Sequence, residues 1–107
     1  MSQGTVSVTL LNQYPSPSAN DQKYSFYMKI GAAQNLLIMN QPVELTFNPI
    51  QAMPELQIDS PECKANVTLN LRSYLNRKKN ELHNLMNHQG EIVARVHSQI
   101  EFKLSQS

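Results

Sequence analysis

Three histidines are the side chains in this sequence best suited to bind a metal or to transfer a proton. His83 and His88 are five positions apart and would diverge by about 140° on a helix, whereas two metal ligands on one helix are three or four residues apart. His97 and Glu101 share one face of a predicted strand, in a row of polar residues. Such a row is typical of a solvated sheet face, so we predict no metal site, while a functional polar surface at His97 and Glu101 remains an alternative.

Nucleophilic catalysis would depend on Cys63, the only cysteine in the chain. Cys63 lies in the segment SPECK, which has no neighbouring histidine and no helix start to lower the pKa of the thiol. The chain has only three glycines, hence no glycine-rich phosphate loop, and its eight acidic residues are scattered. We therefore predict a non-enzymatic protein with no catalytic residues and no cofactor.

The segment LRSYLNRKKNELHNLMNH, residues 71–88, has the spacing of an amphipathic helix. On a helical wheel its large apolar side chains fall within a sector of roughly 120°, and its asparagines, histidines, Arg77 and Glu81 fall opposite. Lys78 lies inside the apolar sector and Lys79 at its edge. Ser73 is suited to the N-cap and Gly90 to the left-handed residue after the last turn. The sequence thus predicts one amphipathic helix over about residues 73–88.

The basic residues of this segment define an alternative function. Arg72, Arg77, Lys78 and Lys79 lie close to Tyr74, and cations beside an aromatic ring are the combination that single-stranded nucleic-acid binders use. Arg77 points about 160° away from Lys79 on the wheel, so these cations form no single stripe. The formal net charge is only +1, which gives no long-range attraction to nucleic acid. Nucleic acid is therefore the less favoured partner.

Period-2 alternation of apolar and polar residues predicts most of the remaining structure as strands. The predicted strands are residues 4–11, 23–30, 35–39, 43–48, 55–59, 65–71 and 90–104. Three prolines between positions 49 and 61 restrict the strand at 55–59 to a sheet edge. The expected fold class is α+β: a mainly antiparallel sheet, as a sandwich or a partly closed barrel, with the helix before a long C-terminal strand. A chain of 107 residues predicts a single domain spanning residues 1–107.

The length of the final strand suggests that it extends past its own sheet to pair with another copy of the chain. Tyrosines predicted to be exposed are also favoured at protein interfaces. The candidate self-association residues are Val93, Ile100, Phe102, Leu104, Tyr14 and Tyr27. We therefore expect an interaction or assembly protein that forms a homo-oligomer through strand edges, with binding to another protein as a further possibility.

A second alternative is a binder of small apolar ligands, because methionines and the aromatic segment 24–28 would line a space between helix and sheet. The N-terminus lacks the pattern of a signal peptide, and no run approaches the roughly 20 apolar residues of a membrane span. A single cysteine fits a reducing compartment. These features predict a cytoplasmic protein with no membrane partner.

Overall fold

The computed structural model describes residues 2–15, 25–48, 55–62 and 64–106, and shows eight strands with one short 3₁₀ turn. The elements are β1 (Ser2–Pro15), β2 (Tyr27–Ile30), β3 (Ala33–Leu36), β4 (Pro42–Phe47), β5 (Glu55–Ser60), β6 (Ala65–Asn70), the 3₁₀ turn (Leu71–Tyr74), β7 (Lys78–Met86) and β8 (Ile92–Gln106). Tyr24 and Cys63, which figured in the predictions, lie outside the described residues.

Every pair of neighbouring strands is antiparallel, in the order β3-β2-β5-β6-β7-β8-β1-β4. The join between β6 and β7 consists of a single residue pair, Asn66 with Met86. The sheet turns over at this narrow join, so the strands form two layers, β3-β2-β5-β6 and β7-β8-β1-β4, whose inner faces share one core. The outermost strands β3 and β4 also approach each other, which makes the sandwich a nearly closed barrel. The predicted antiparallel sheet is confirmed.

The core is built from the alternation that the sequence displays. On β1, Val6 and Val8 are fully buried, and on β8, Val96 and Ile100 are fully buried, with Ile100 paired directly with Val8. The other layer contributes fully buried side chains such as Ile58. Because successive side chains of a strand point to opposite faces, the same strands present a polar row outward.

The predicted α+β class is wrong, because residues 73–88 form no α-helix. Leu71–Tyr74 is a 3₁₀ turn capped by Asn70, whose side-chain oxygen accepts from the Arg72 N–H at 3.0 Å. Leu75 is extended, Asn76 has φ of 56°, and the chain then enters β7. Asparagine is a poor helix former, and β7 instead gains a nine-residue ladder with β8, so the long-range pairing overrides the helical spacing of the leucines.

The long C-terminal strand is confirmed, but it lies in the interior of its layer. β8 spans Ile92–Gln106, with β7 paired along one edge and β1 along the other. The register with β1 shifts by one residue between Leu10 and Asn12. Such a β-bulge bends and twists a long ribbon, which lets these strands curve around the core.

Candidate functional site

The candidate self-association residues are not gathered on one surface. Ile100 is fully buried and Phe102 is 3% exposed, so both belong to the core. Val93 is half-buried against that core, and Tyr27 lies half-buried on the outer face of β2. Leu104 is 45% exposed at the far end of β8. β7 pairs with β8 from Ile92 to Glu101 and β1 pairs with it from Ala94 to Gln106, so most of both edges of this strand is already occupied within the chain.

For Tyr14, only the backbone is described: it pairs with Arg95 across β1 and β8.

The basic segment does not form a platform for stacking a base. Tyr74 is 4% exposed, its hydroxyl donates to Glu81 Oε2 at 2.8 Å, and Lys79 Nζ lies 5.5 Å from the centre of its ring. Burial, together with the Glu81 carboxylate, raises the pKa of Tyr74 well above its usual range. Arg72 and Arg77 are exposed beside the 3₁₀ turn. The cations are thus accessible while the ring is not.

A polar cluster continues along the inner face of β7. His83 Nε2 lies 3.3 Å from Glu81 Oε2, and burial lowers the pKa of His83 while the charge of Glu81 opposes the shift. Within the described part of the chain, the buried His83 Nε2 and the buried Ser98 Oγ have no hydrogen-bond partner. Ser98 stands directly opposite Glu81 in the register. This cluster fastens the 3₁₀ turn to β7 through Tyr74.

The described residues contain no group of three or more histidine, cysteine, aspartate or glutamate side chains that could hold a metal ion. His97 and Glu101 both lie on the outward face of β8, as the sequence predicts. His97 stands opposite Leu82 of β7, and Glu101 lies 3.9 Å from Lys103. They form part of a polar outer face and do not converge on a catalytic centre.

Large apolar side chains are exposed at one end of the sandwich. Leu36, Ile38, Met86 and Ile92 are each between 46% and 48% exposed, and we call these four residues the apolar rim. Leu82 on the outer face of β7 and Leu104 at the opposite end are exposed to a similar extent. Exposed apolar residues scattered singly are normal, whereas a contiguous apolar patch is typical of an interaction surface, so the apolar rim is the candidate to consider.

The strand register explains why the rim residues share one end. Leu36 pairs with Tyr27, Tyr27 with Asp59, and Asp59 with Asn66. The same rung continues from Asn66 to Met86 and from Met86 to Ile92. Leu36 on β3 and Ile92 on β8 are therefore brought to one level by pairing across six strands.

Ile38 is presented by a well-anchored turn between β3 and β4. The neighbouring Leu37 is 6% exposed, and its N–H donates to the Phe26 carbonyl at 2.8 Å. Asn40, with φ of 60°, donates its N–H to the Leu10 carbonyl at 2.7 Å. Because Leu37 is anchored inward, Leu36 and Ile38 on either side of it point outward.

The β7–β8 turn holds Met86 and Ile92 in place in a similar way. The Asn87 side-chain oxygen accepts from the N–H groups of Gln89 at 2.9 Å and Glu91 at 3.0 Å. Gly90 supplies the positive φ of 81° that the turn requires. Both apolar residues thus flank a turn with satisfied backbone groups.

The rim was missed in the sequence, where NLLIM (residues 35–39) was interpreted only as a strand. The signal was there, because a run of four apolar residues without alternation has to place some of them outward. Met86 and Ile92 gave no such signal.

The described part of the chain is thus an eight-stranded antiparallel sandwich with apolar side chains exposed on the turns of one end. No protein-family model matches the chain, and no characterised protein matches it in sequence.

The solved structures that share this fold are C2 domains. The C2-A domain of plant extended synaptotagmin 1 superposes with a TM-score of 0.67 at 9% identity, covering 97% of each chain. A structure of the SMP, C2-A and C2-B domains of extended synaptotagmin 2 matches with a TM-score of 0.63 at 13% identity, covering all of this chain and 27% of the other. A structure of the C2-A and C2-B domains of extended synaptotagmin 2 matches with a TM-score of 0.59 at 15% identity, covering 99% of this chain and 43% of the other. This chain therefore has the fold of a C2 domain.

The prediction that membranes are excluded as partners is wrong, because the C2 fold is one that binds membrane phospholipids. The prediction relied on net charge and on the lack of a long apolar run. Those criteria detect long-range attraction and membrane-spanning segments, whereas a peripheral domain needs only a few apolar side chains at one end. In the described ranges, no helix is long and apolar enough to cross a membrane.

Proposed function

We propose that this chain is a non-enzymatic module that docks peripherally on phospholipid membranes through the apolar rim. The observation that carries the proposal is the position of Leu36, Ile38, Met86 and Ile92 at one end of the sandwich, each about half exposed on an anchored strand end or turn. The C2 fold supports it, since this architecture is used for phospholipid binding.

The expected affinity is low. Burying the exposed part of a large apolar side chain contributes about 1 kcal/mol, so four of them contribute about 4 kcal/mol. That free energy corresponds to a dissociation constant of about 1 mM. Docking through the rim alone is therefore reversible, and a second point of attachment would strengthen it by avidity.

The charge around the rim is mixed. Glu62 and Glu91 lie on the turns at this end together with Lys64 and His88. Opposite charges in such proximity give little net attraction to an anionic surface, so we expect apolar insertion to dominate over attraction to acidic headgroups. Binding should therefore vary little with salt.

Self-association is the second candidate, and the same exposed apolar side chains favour it. Contact between two rims would remove these side chains from water without a membrane. The mode of association then differs from strand-edge pairing, since β8 is paired on both sides. Among the candidate self-association residues whose side chains the structure describes, Leu104 is exposed, and Tyr27 and Val93 are half-buried.

The other two alternatives have less support. For nucleic-acid binding, Arg72, Arg77 and Lys78 are exposed and could contact phosphates. The Tyr74 ring is buried, so it offers no surface on which a base could stack. An apolar ligand between helix and sheet has no equivalent place, because residues 73–88 form part of a 3₁₀ turn, a β-strand and connecting residues.

Vesicle flotation tests the membrane proposal directly. We expect the protein to float with phosphatidylcholine vesicles, and the Ile38→Gln/Ile92→Gln variant to float about tenfold less. The matched control is Leu82→Gln/Leu104→Gln, which removes two equally exposed apolar side chains outside the rim. Runs in EDTA and in Ca²⁺ show whether a cation contributes.

Equal flotation of the two double variants would overturn the role of the rim. Light scattering on the same samples tests self-association. A discrete oligomer of the parent that dissociates only in the Ile38→Gln/Ile92→Gln variant, with no flotation of the parent or the variant, would favour self-association over membrane docking.

A further inference from the structure

A second surface lies on the outer face of the layer β7-β8-β1-β4. It is a depression of about 310 Å³. Its lining residues are Ser7, Thr9, Pro42, Lys78, Gln99 and Glu101. Gln99 and the rim residue Ile92 are seven positions apart on β8, which corresponds to about 23 Å along the strand. The depression is therefore remote from Ile92, whereas its Pro42 borders the β3–β4 turn, in which the Gln41 N–H donates to the carbonyl of the rim residue Ile38 at 3.2 Å.

The register assembles this depression from two neighbouring rungs. In one rung, Ser7 pairs with Glu101 and Glu101 with Lys78. In the next, Pro42 pairs with Thr9 and Thr9 with Gln99. Residues from four strands thus line one concave patch, although they are far apart in the sequence.

The polar groups of the depression are largely unused by the protein. In the described part of the chain, the side chains of Ser7, Thr9 and Gln99 make no hydrogen bond. Lys78 and Glu101 stand opposite each other, yet no ion pair joins them, and the Glu101 carboxylate has only the long 3.9 Å contact with Lys103. Glu101 is only 26% exposed in its side chain. Hydroxyl, amide, ammonium and carboxylate groups therefore all remain available to a ligand.

The charges select the class of ligand. The lining contributes one cation, Lys78, and one anion, Glu101. A second carboxylate lies nearby, because Glu44 on β4 pairs with Ser7 on β1. The two carboxylates disfavour an anion, and the ammonium disfavours a cation. A neutral ligand rich in hydroxyl groups suits the patch, because neighbouring hydroxyls can donate to the Glu101 carboxylate and accept from Lys78 and Gln99.

We propose that this depression binds a neutral polyhydroxyl ring, that is, a saccharide, with Glu101 and Lys78 contacting adjacent hydroxyl groups and Pro42 packing against the apolar face of the ring. A volume of about 310 Å³ is at the lower end for ligand sites and accommodates one or two sugar rings. The lining contains no aromatic side chain, so the expected dissociation constant is in the millimolar range. The same ring chemistry is presented by free saccharides and by the headgroups of glycolipids.

Titration of the ¹⁵N-labelled protein with glucose, galactose, mannose and lactose, followed by NMR, tests the proposal. At least one sugar should shift the Gln99 side-chain amide and the Thr9 and Ser7 backbone amides, with saturation at tens of millimolar. Glu101→Gln should weaken binding about tenfold, and Lys78→Met should weaken it by a similar factor. Glu55→Gln, an exposed carboxylate on the other layer, is the control and should bind as the parent does.

Three outcomes would overturn the proposal: no saturable shift with any of the four sugars, shifts unaffected by Glu101→Gln in a folded variant, or shifts produced by phosphocholine and not by sugars. Flotation with vesicles containing galactosylceramide distinguishes the two sources, because a glycolipid site adds binding that Glu101→Gln removes and that free galactose competes for. Glu101→Gln should leave flotation with plain phosphatidylcholine unchanged, so failure here is separable from failure of the rim.

Discussion

The side-chain amide of Asn35 donates to the backbone carbonyl of Glu44 at 2.7 Å, and this bond joins the two outermost strands of the sheet. Strands β3 and β4 would otherwise expose unpaired backbone groups, which invite pairing with another chain. The bond occupies one of these groups and helps close the sandwich. The Asn35 side chain on β3 therefore limits pairing of the two edge strands, β3 and β4, with another molecule.

Replacing Asn35 should open this edge. We expect Asn35→Ala to lower the free energy of unfolding by about 1 kcal/mol, the usual contribution of one hydrogen bond, and to increase concentration-dependent aggregation. Urea unfolding and light scattering measure the two effects. Gln34→Ala, at the exposed neighbouring position, should change neither, and equal behaviour of the two variants would contradict the role of the bond.

Tyr74 should stabilise the fold through its hydroxyl as well as its ring. Tyr74→Phe keeps the buried ring and removes the 2.8 Å hydrogen bond to Glu81, so we expect a loss of about 1–2 kcal/mol in urea unfolding. Ser73→Ala, exposed on the same 3₁₀ turn, provides the control. A Tyr74→Phe variant as stable as the parent would show that Glu81 does not fasten the turn.

His83 should make stability depend on pH. Burial lowers the pKa of the folded-state imidazole below its ordinary value of 6.5, and the nearby Glu81 carboxylate only partly offsets this effect. The unfolded state then binds the proton more readily. The contribution of neutral His83 is complete above about pH 6.5 and is lost as the pH falls through the lower folded-state pKa.

Unfolding in urea at pH 7.5 and at pH 5 measures this dependence. We expect His83→Gln to lose less stability than the parent between the two values, and His88→Gln, at an exposed position, to behave as the parent does. Identical pH dependence of His83→Gln and the parent would exclude His83 as the responsible group.

Gly4 should tolerate no side chain. A Cβ atom there would lie 2.8 Å from Phe47 Cζ and 3.1 Å from Phe102 Cε1, and these two rings stack with centres 5.6 Å apart. We expect Gly4→Ala to destabilise the protein by about 1–3 kcal/mol in thermal or urea unfolding, because the rings must move apart. Thr46→Ala on the exposed face of β4 should cost less than about 1 kcal/mol, and a Gly4→Ala variant no worse than this control would mean that the rings adapt freely.

The strands were predictable where alternation is uninterrupted, and the failure at residues 71–88 has a definite cause. Leu71, Leu75, Leu82 and Leu85 satisfy helical spacing, but in the structure Leu85 is buried and Leu82 is 53% exposed. The choice between helix and strand depends on the backbone pairing of β7 with β8, which the local spacing of apolar residues does not reveal.

The grouping of these four residues in one apolar rim was unpredictable for a similar reason, although the run at 36–39 indicated that some apolar side chains point outward. Leu36 and Met86 share a rung only through the pairing of Tyr27, Asp59 and Asn66 between them, which the sequence does not specify. The depression on the outer face likewise depends on the register of β8 with β1 and on its register with β7. Local alternation indicates which residues point outward, whereas strand order decides which of them meet.

The central position of β8 also determines when the protein can fold. β1 is synthesised before β8 and has β8 as a partner along nearly its whole length, with Val6 pairing with Phe102. The hydrophobic side chains of β1 therefore have no complete core to enter until β8 is available. Folding dominated by such distant pairings is slow, and a truncation that removes β8 should leave much of the apolar face of β1 exposed.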